Sequence, residues 1–324
     1  MSVSRDALFH TIPLCAVKPG MHLDFNLYLK REDNFHLMVE KGDFYPEKLT
    51  ENIKNTTDLS EYFYIHLTEK ESYYSHIEAY LKEISSDESI PLHEKSLLVY
   101  KSASDVMNDL LNKPESKETL ALTKTLVDHT INIILNNDAS VKSMMSIGSH
   151  DYYTYTHSVD VSIFTIGFAN YLGFSYENLR NIGYSAMMHD IGKSKIPNEI
   201  INKHGKLTED EFGLMKNHPG HSYQLLKFHD EANEDILMGA RSHHEEAKGN
   251  GYPDGLKLHE INDFAKIISI CDIFSALTTE RSYKSAYSSF KTLQLMKQDM
   301  LQDLDENLFY DFIRFIGKSC SHTL

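Results

Sequence analysis

The sequence predicts a mainly α protein, with an all-helical domain preceded by a small α+β domain. Three observations carry that expectation. Up to about residue 92 the chain alternates apolar and polar residues in the manner of strands. From residue 93 onward apolar residues recur at helical spacing. The length, 324 residues, exceeds that of one typical domain. The expected division is therefore a small α+β N-terminal regulatory domain over 1–92 and a helical domain, linker helices included, over 93–324.

Taken in order, "MHLDFNLYLK" alternates, "FHLMVEKGDF" runs into a glycine turn, and "YFYIHL" is rich in aromatic and β-branched residues. Each predicts a strand. The polar stretch "EISSDESIPLHEKS", containing Pro91, reads as a linker. Beyond it "EKSLLVYKSASDVMNDLLN" and "SKETLALTKTLVDHTINIILNN" predict two helices separated by Pro114. No internal repeat interrupts the pattern.

Composition excludes several classes of function. A net charge of −15 disfavours a surface for duplex nucleic acid, because long phosphate backbones are held chiefly by clustered Lys and Arg. A small phosphorylated ligand stays compatible, since a cation can reverse the local field in one cleft. No segment is apolar for long enough to span a membrane, and the first residues lack the apolar core of a secretory signal, so a cytoplasmic protein is expected. Cys15, Cys271 and Cys320 are far apart, which argues against a disulfide framework and against a thiolate metal site.

Five segments of the helical part bring imidazoles and carboxylates to positions expected to be buried. In "DYYTYTHSVDVSIFTIGFANYLG", His157 shares a stripe with Val161, Phe164 and Phe168. Alone it reads as a hydrogen-bonded core histidine. In "YSAMMHDIGKSKIP", His189 and Asp190 end an apolar run, and Gly192 is expected to cap the helix. A capping carboxylate belongs at a helix N-terminus, so Asp190 at a C-terminus calls for another role. "LMKNHPGHSYQLL" offers His218 and His221, either of which could simply flank a helix end. "ARSHHEEAKGNGYPDGL" pairs His243 with His244 ahead of a glycine-rich loop, and "DFAKIISICDIFSALTTERSYK" sets Asp272 on the apolar stripe of Ala265, Ile268 and Ala276. A buried carboxylate is costly unless paired, protonated or bound to a cation. Five imidazoles and two carboxylates in one helical domain fit a two-cation site better than independent accidents do.

In this order the doublet His189-Asp190, the pair His243-His244, the run Gly251-Tyr252-Pro253 and "ALTTERSYK" resemble the HD-GYP family of cyclic di-GMP phosphodiesterases. The likeness spans about residues 140 to 300. It implies that His157, His189, Asp190 and Asp272 hold one metal and His218, His243 and His244 the other, with Asp190 bridging. Two divalent metal ions, iron or manganese, are implied as cofactors. Asp190 and Lys193 are the implied catalytic residues. Lys193, Tyr252, Arg281 and Lys284 are the implied contacts to cyclic di-GMP. Gly249, Gly251 and Gly255 would let the backbone approach the ligand, with Pro253 stiffening the turn. Tyr252 reads equally as a loop anchor.

The implied reaction is metal-dependent hydrolysis of cyclic di-GMP to linear pGpG, with a further cut to GMP. The rival reading is a weakly active or inactive cyclic di-GMP sensor that regulates a protein partner through the N-terminal domain. A hydrolase for another cyclic nucleotide is a third. Four positions depart from the family pattern: Lys248 and Ser275 stand where acidic residues are usual, Ser282 replaces a proline, and Ser222 replaces a glycine. Tyr153, four residues before His157, takes the place of a glutamate that admits a third cation in some members, so a dinuclear site is expected. The N-terminal domain shows no phosphate-binding loop and no phosphoryl-accepting aspartate cluster. Oligomeric state is not legible, with a homodimer the assembly to test.

Overall fold

The computed structural model describes residues 8–32, 34–49, 62–137, 140–148, 154–203, 205–229, 233–280 and 286–320. It divides into two compact units, 1–105 and 106–324.

The first unit is built on a four-stranded antiparallel sheet of β1 (Phe9–Pro13), β2 (Leu27–Arg31), β3 (Asn34–Val39) and β4 (Tyr62–His66), ordered β1-β4-β2-β3. Alternation sends Leu27 and Leu29 of β2, and Phe63 and Ile65 of β4, into the core. The strand expected over 21–30 starts only at Leu27. Upstream, Leu23 and Phe25 are buried too, yet this backbone bonds to a loop: Leu23 N–H donates to Asp43 O at 3.0 Å and Tyr45 N–H to Met21 O at 2.8 Å. Alternation thus reported a buried face without a place in the ladder.

Two long described helices follow the sheet, α1 (Lys70–Ser86) and α2 (Leu92–Asn112), the latter running past the dividing point at 105. The linker expected over 83–96 is mostly helix. Glu83, His93 and Glu94 are exposed on α1 and α2 while Ser96 is buried, and only a short turn separates the helices, where Asp87 Oδ1 accepts from Ser89 N–H at 2.9 Å and from its hydroxyl at 2.6 Å.

In the second unit the described helices are α3 (Lys117–Asn136), α4 (Ser140–Gly148), α5 (Thr154–Tyr171), α6 (Tyr176–Met188), α7 (Asn198–Ile201), α8 (Glu209–Met215), α9 (His218–Phe228), α10 (Glu234–Arg241), α11 (Asp263–Thr278), α12 (Ser289–Leu295) and α13 (Glu306–Cys320). Side-chain caps start many of them: Ser116, Ser175, Thr208, Asn233, Asn262 and Ser288 each accept a hydrogen bond from a first-turn N–H, a contact worth about 1 kcal/mol.

Helix α5 is the axis of this unit, buried without a break from His157 to Ala169. A helix apolar all round must be enclosed. Aromatic rings tie it to two neighbours: Phe164 meets Phe274 of α11, and Phe168 meets Phe312 of α13, each at 5.1 Å between centroids. The stripe read from the sequence is therefore one side of a fully covered rod, and that side carries His157. Among the described residues no helix is long and apolar enough to cross a membrane.

Candidate metal centre

Helix ends make the site. His157 lies in the first turn of α5, and His189 and Asp190 follow the last turn of α6. His218 opens α9, His243 and His244 follow α10, and Asp272 projects from α11. These side chains form three overlapping groups whose ligand atoms lie within 4.8 Å of one another: His157, His189 and Asp272; His189, Asp190 and His243; His218, His243 and His244. Neighbouring rings confirm the convergence, with centroids 5.5 Å apart for His157 and His189, 4.8 Å for His189 and His243, and 5.1 Å for His218 and His244. His221, the alternative in its segment, belongs to none of these groups.

The backbone decides which nitrogen faces inward. His189, His218 and His243 direct Nδ1 to the carbonyl oxygens of Ala186, Met215 and Ala240, at 2.6, 2.8 and 2.8 Å. A carbonyl can only accept, so each Nδ1 carries the proton and each neutral ring keeps a lone pair on Nε2. All three carbonyls belong to last turns of α6, α8 and α10, where helix geometry leaves oxygens short of partners. His157 differs. Its Nδ1 lies 3.1 Å from Ser275 Oγ, and its Nε2 lies 2.8 Å from Asp272 Oδ1.

Asp190 stands between the outer groups. Its Oδ2 is 3.3 Å from His189 Nε2, and its Oδ1 is 3.2 Å from His218 Nε2. Lys193, on the short 3-10 turn that follows, reaches Asp190 Oδ2 at 2.5 Å. His189 Nε2 and Asp190 Oδ1 are buried and make no hydrogen bond of their own. Buried polar atoms without partners are costly, and these two face other ligand atoms. Imidazole and carboxylate without thiolate is a donor set suited to divalent iron, manganese or zinc. The residues fit divalent cations.

Electrostatics keeps most of them in ligand form. Burial pushes His244 down to about 3, and burial together with the facing His244, His189 and His218 holds His243 well below the usual imidazole range. Burial also lowers His157, against the pull of Asp272. For Asp190 burial acts upward, but the charges of Lys193 and His189 and the contacts with His189 and His218 outweigh it and hold the carboxyl well below its ordinary value. Asp272 is lowered in the same way, with His157 overcoming burial. For His189 burial acts downward, but the charge and contact of Asp190, the charge of Asp272 and the Ala186 carbonyl together outweigh it and raise the imidazole.

Two glycine expectations change. Gly192 does not cap α6 with left-handed backbone; the chain passes through His189 at φ −55° and Asp190 at φ −100° into the 3-10 turn. Its glycine is needed for close approach, since a Cβ there would sit 2.0 Å from His218 O. Ser222 uses that proximity, accepting from Gly192 N–H at 2.9 Å and donating to His189 O at 2.7 Å. Gly251 likewise approaches protein backbone, where a Cβ would lie 2.3 Å from Glu246 N and 2.5 Å from His244 O. It is a packing glycine, not one that opens space for a ligand.

The loop's main support is a residue the sequence reading passed over. Glu245 is buried, and its carboxylate accepts from the N–H groups of Asp254, Gly255 and Leu256 at 2.6, 3.2 and 2.8 Å. Arg241 adds a two-pronged contact to Asp254, both bonds 2.8 Å. The only sequence signal for Glu245 is its place after the histidine pair. Tyr252, so held, stacks on His244 with centroids 4.7 Å apart and planes at 32°. Lys248 is exposed and bonds the Gln302 side chain, away from the cluster. Tyr153, Arg281, Ser282 and Lys284 lie outside the described residues.

Residues 142–308 match the HD domain family. The chain belongs to that family. This HD domain protein is 32% identical over 192 residues to a cyclic di-GMP phosphodiesterase of Pseudomonas aeruginosa, a match covering 59% of the chain and 46% of the relative. It is 44% identical over 123 residues to the cyclic di-GMP phosphodiesterase response regulator RpfG of Xanthomonas campestris pv. campestris, covering 37% of the chain and 32% of that protein. It is 30% identical over 207 residues to a 3′3′-cGAMP-specific phosphodiesterase of Vibrio cholerae, covering 64% and 43%. The HD domain chain thus spans less than half the length of these curated relatives. Its fold is shared with Bd1817, an HDG"Y"P protein from Bdellovibrio bacteriovorus, at TM-score 0.72 and 20% identity over 95% of this chain and 99% of that one.

Proposed function

We propose that the chain is a metal-dependent phosphodiesterase that hydrolyses cyclic di-GMP to linear pGpG, with a slower further cut to GMP. The observation that carries the reading is the convergence of seven ligand-type side chains, all buried or nearly so, three of whose imidazoles are held through Nδ1 by backbone carbonyls so that Nε2 turns toward the cluster. His157, His189, Asp190 and Asp272 would hold one cation and His218, His243 and His244 a second. Asp190 is the shared ligand, a role supported by its two oxygens facing His189 and His218. Bound there, two divalent cations, iron or manganese, supply Lewis acidity toward a phosphodiester and acidify a water near neutral pH.

The protein's own groups do the rest. The ammonium of Lys193, whose side chain is 18% exposed beside Asp190, offers positive charge to a non-bridging phosphate oxygen. Arg281 and Lys284 are assigned to the substrate phosphates by the family resemblance. Tyr252 closes one side of the site over His244. The N-terminal unit is assigned to a protein partner, the whole chain to the cytoplasm, and neither duplex nucleic acid nor a membrane surface is among its ligands. A homodimer is the assembly to test.

A second reading, a weakly active or inactive cyclic di-GMP sensor, is favoured by Ser275, a neutral hydroxyl on His157. The experiment loads the protein anaerobically with metal, counts metal by elemental analysis, and resolves the products from cyclic di-GMP and 3′3′-cGAMP. Two metals per chain and accumulation of pGpG before GMP are expected. Three well-occupied metals would overturn the dinuclear assignment. Full metal and nucleotide binding without turnover would select the sensor. Asp190→Ala should lose metal and turnover together, since removing one partner strands buried charge; full metal and normal hydrolysis in that variant defeat the site.

A further inference from the structure

We propose that Phe212, Lys216 and Tyr252 form a guanine-selective base subsite beside the metal centre. This inference rests on the cyclic dinucleotide reaction proposed above and assigns its specificity.

Large apolar side chains are normally covered, and an exposed aromatic ring linked to a candidate site is a candidate contact. Phe212 of α8 is 47% exposed. Its ring lies 6.3 Å from Tyr252 at an interplanar angle of 82°, and Tyr252 in turn stacks on His244. An aromatic series therefore leads outward from a candidate ligand histidine to a half-exposed ring, with the Lys216 ammonium lying over part of its face. A nucleotide has a matching build, with its phosphate one sugar away from its base. A phosphodiester at the histidine cluster sets its base toward these rings, and bases stack on aromatic side chains with little dependence on sequence.

Lys216 supplies the selectivity. Its Nζ sits 5.1 Å from the Phe212 ring centroid, and among the described residues no carboxylate pairs with it. A base laid on Phe212 has this ammonium within reach of its edge. Guanine offers two acceptors there, O6 and N7, whereas adenine places an amino donor beside N7 and meets the ammonium unfavourably. The subsite thus accepts cyclic di-GMP and the guanine half of a mixed cyclic dinucleotide, and it discriminates against cyclic di-AMP.

The platform is fixed before the ligand arrives. Helix α8 opens with a capping box, in which Thr208 Oγ accepts from Glu211 N–H and Glu211 accepts from Thr208 N–H at 2.7 Å. Lys203 anchors the same carboxylate at 2.5 Å. Phe212 is therefore held by a clamped helix, and little ordering is left for binding to supply.

The test uses the metal-loaded full chain with Phe212→Leu, Phe212→Trp and Lys216→Gln, each checked for unchanged metal content. Phe212→Leu should raise KM for cyclic di-GMP about tenfold, with a far smaller fall in kcat, while Phe212→Trp restores the wild-type KM. Lys216→Gln should raise KM for cyclic di-GMP and lower that for cyclic di-AMP, because the ammonium that repels the adenine amino group is gone and Gln can pair with adenine N6 and N7. A cyclic dinucleotide carrying 2-aminopurine should lose fluorescence on the wild-type protein by stacking and recover it on Phe212→Leu. Hydrolysis by all variants with wild-type KM and equal quenching overturns the base subsite while the phosphodiesterase reading stands. A wild-type protein that neither binds nor cleaves any cyclic dinucleotide overturns that reading itself.

Discussion

Ser275 gives His157 a partner that is weaker and more replaceable than the carbonyls serving His189, His218 and His243. Groups behind a ligand imidazole orient the ring and set its basicity, and their loss costs about 10–100-fold in metal affinity. Ser275→Ala should therefore weaken cation binding at the proposed His157–Asp272 site by about tenfold or more, while Ser275→Asp should strengthen it by accepting from Nδ1–H with a full charge. Chelator competition measures both, and equal affinities in the three proteins would remove Ser275 from any positioning role. At this scale the sequence picked out the candidate ligands but not the contacts that stand behind them. His157 and Asp272 advertise themselves by sitting on apolar stripes. Ser275 stands out only as a departure from the family pattern, and its contact with His157, 118 positions away, was not legible.

Among elements, the loop after His244 depends on Glu245, one carboxylate holding three N–H groups. Glu245→Ala leaves those donors unpaired in a partly buried setting and should destabilise the second unit by about 1.5–3 kcal/mol, the range for bonds to a charged group. Urea unfolding measures the loss, and an unchanged midpoint would show that Arg241 and Asp254 hold the loop alone. Turnover should fall as well, since Tyr252 loses its fixed position over His244. The helices themselves were legible from periodicity and Pro114, whereas the one cap read from the sequence, Gly192, was not borne out. The roles of Gly192 and Gly251 were not. Sequence announces that a glycine is permissive, but only neighbours distant along the chain, His218 and His244 here, reveal that it is there for clearance.

At the scale of the whole molecule, every candidate ligand lies in the second unit, so cation binding should stabilise that unit and leave the first unchanged. Cation at a hundred times its dissociation constant should contribute about 2.7 kcal/mol. Calorimetry with and without chelator checks this: one transition should move and the other stay, whereas a shift of both would tie the units into a single cooperative block. The two-part organisation was legible because strand-like and helix-like periodicities occupy different stretches of the chain.

The tethering of three imidazoles to the ends of the helices that precede them also sets which changes the centre can survive. Carbonyls belong to the backbone, so point substitutions at Ala186, Met215 or Ala240 leave the proton on Nδ1 where it is. Inserting or deleting one residue between tether and ring turns the imidazole about a third of a helical revolution and releases both contacts. The centre is thus forgiving of spelling and intolerant of frame: surface positions such as Lys248 are free to vary, while the three-residue intervals 186–189, 215–218 and 240–243 admit neither gain nor loss of length.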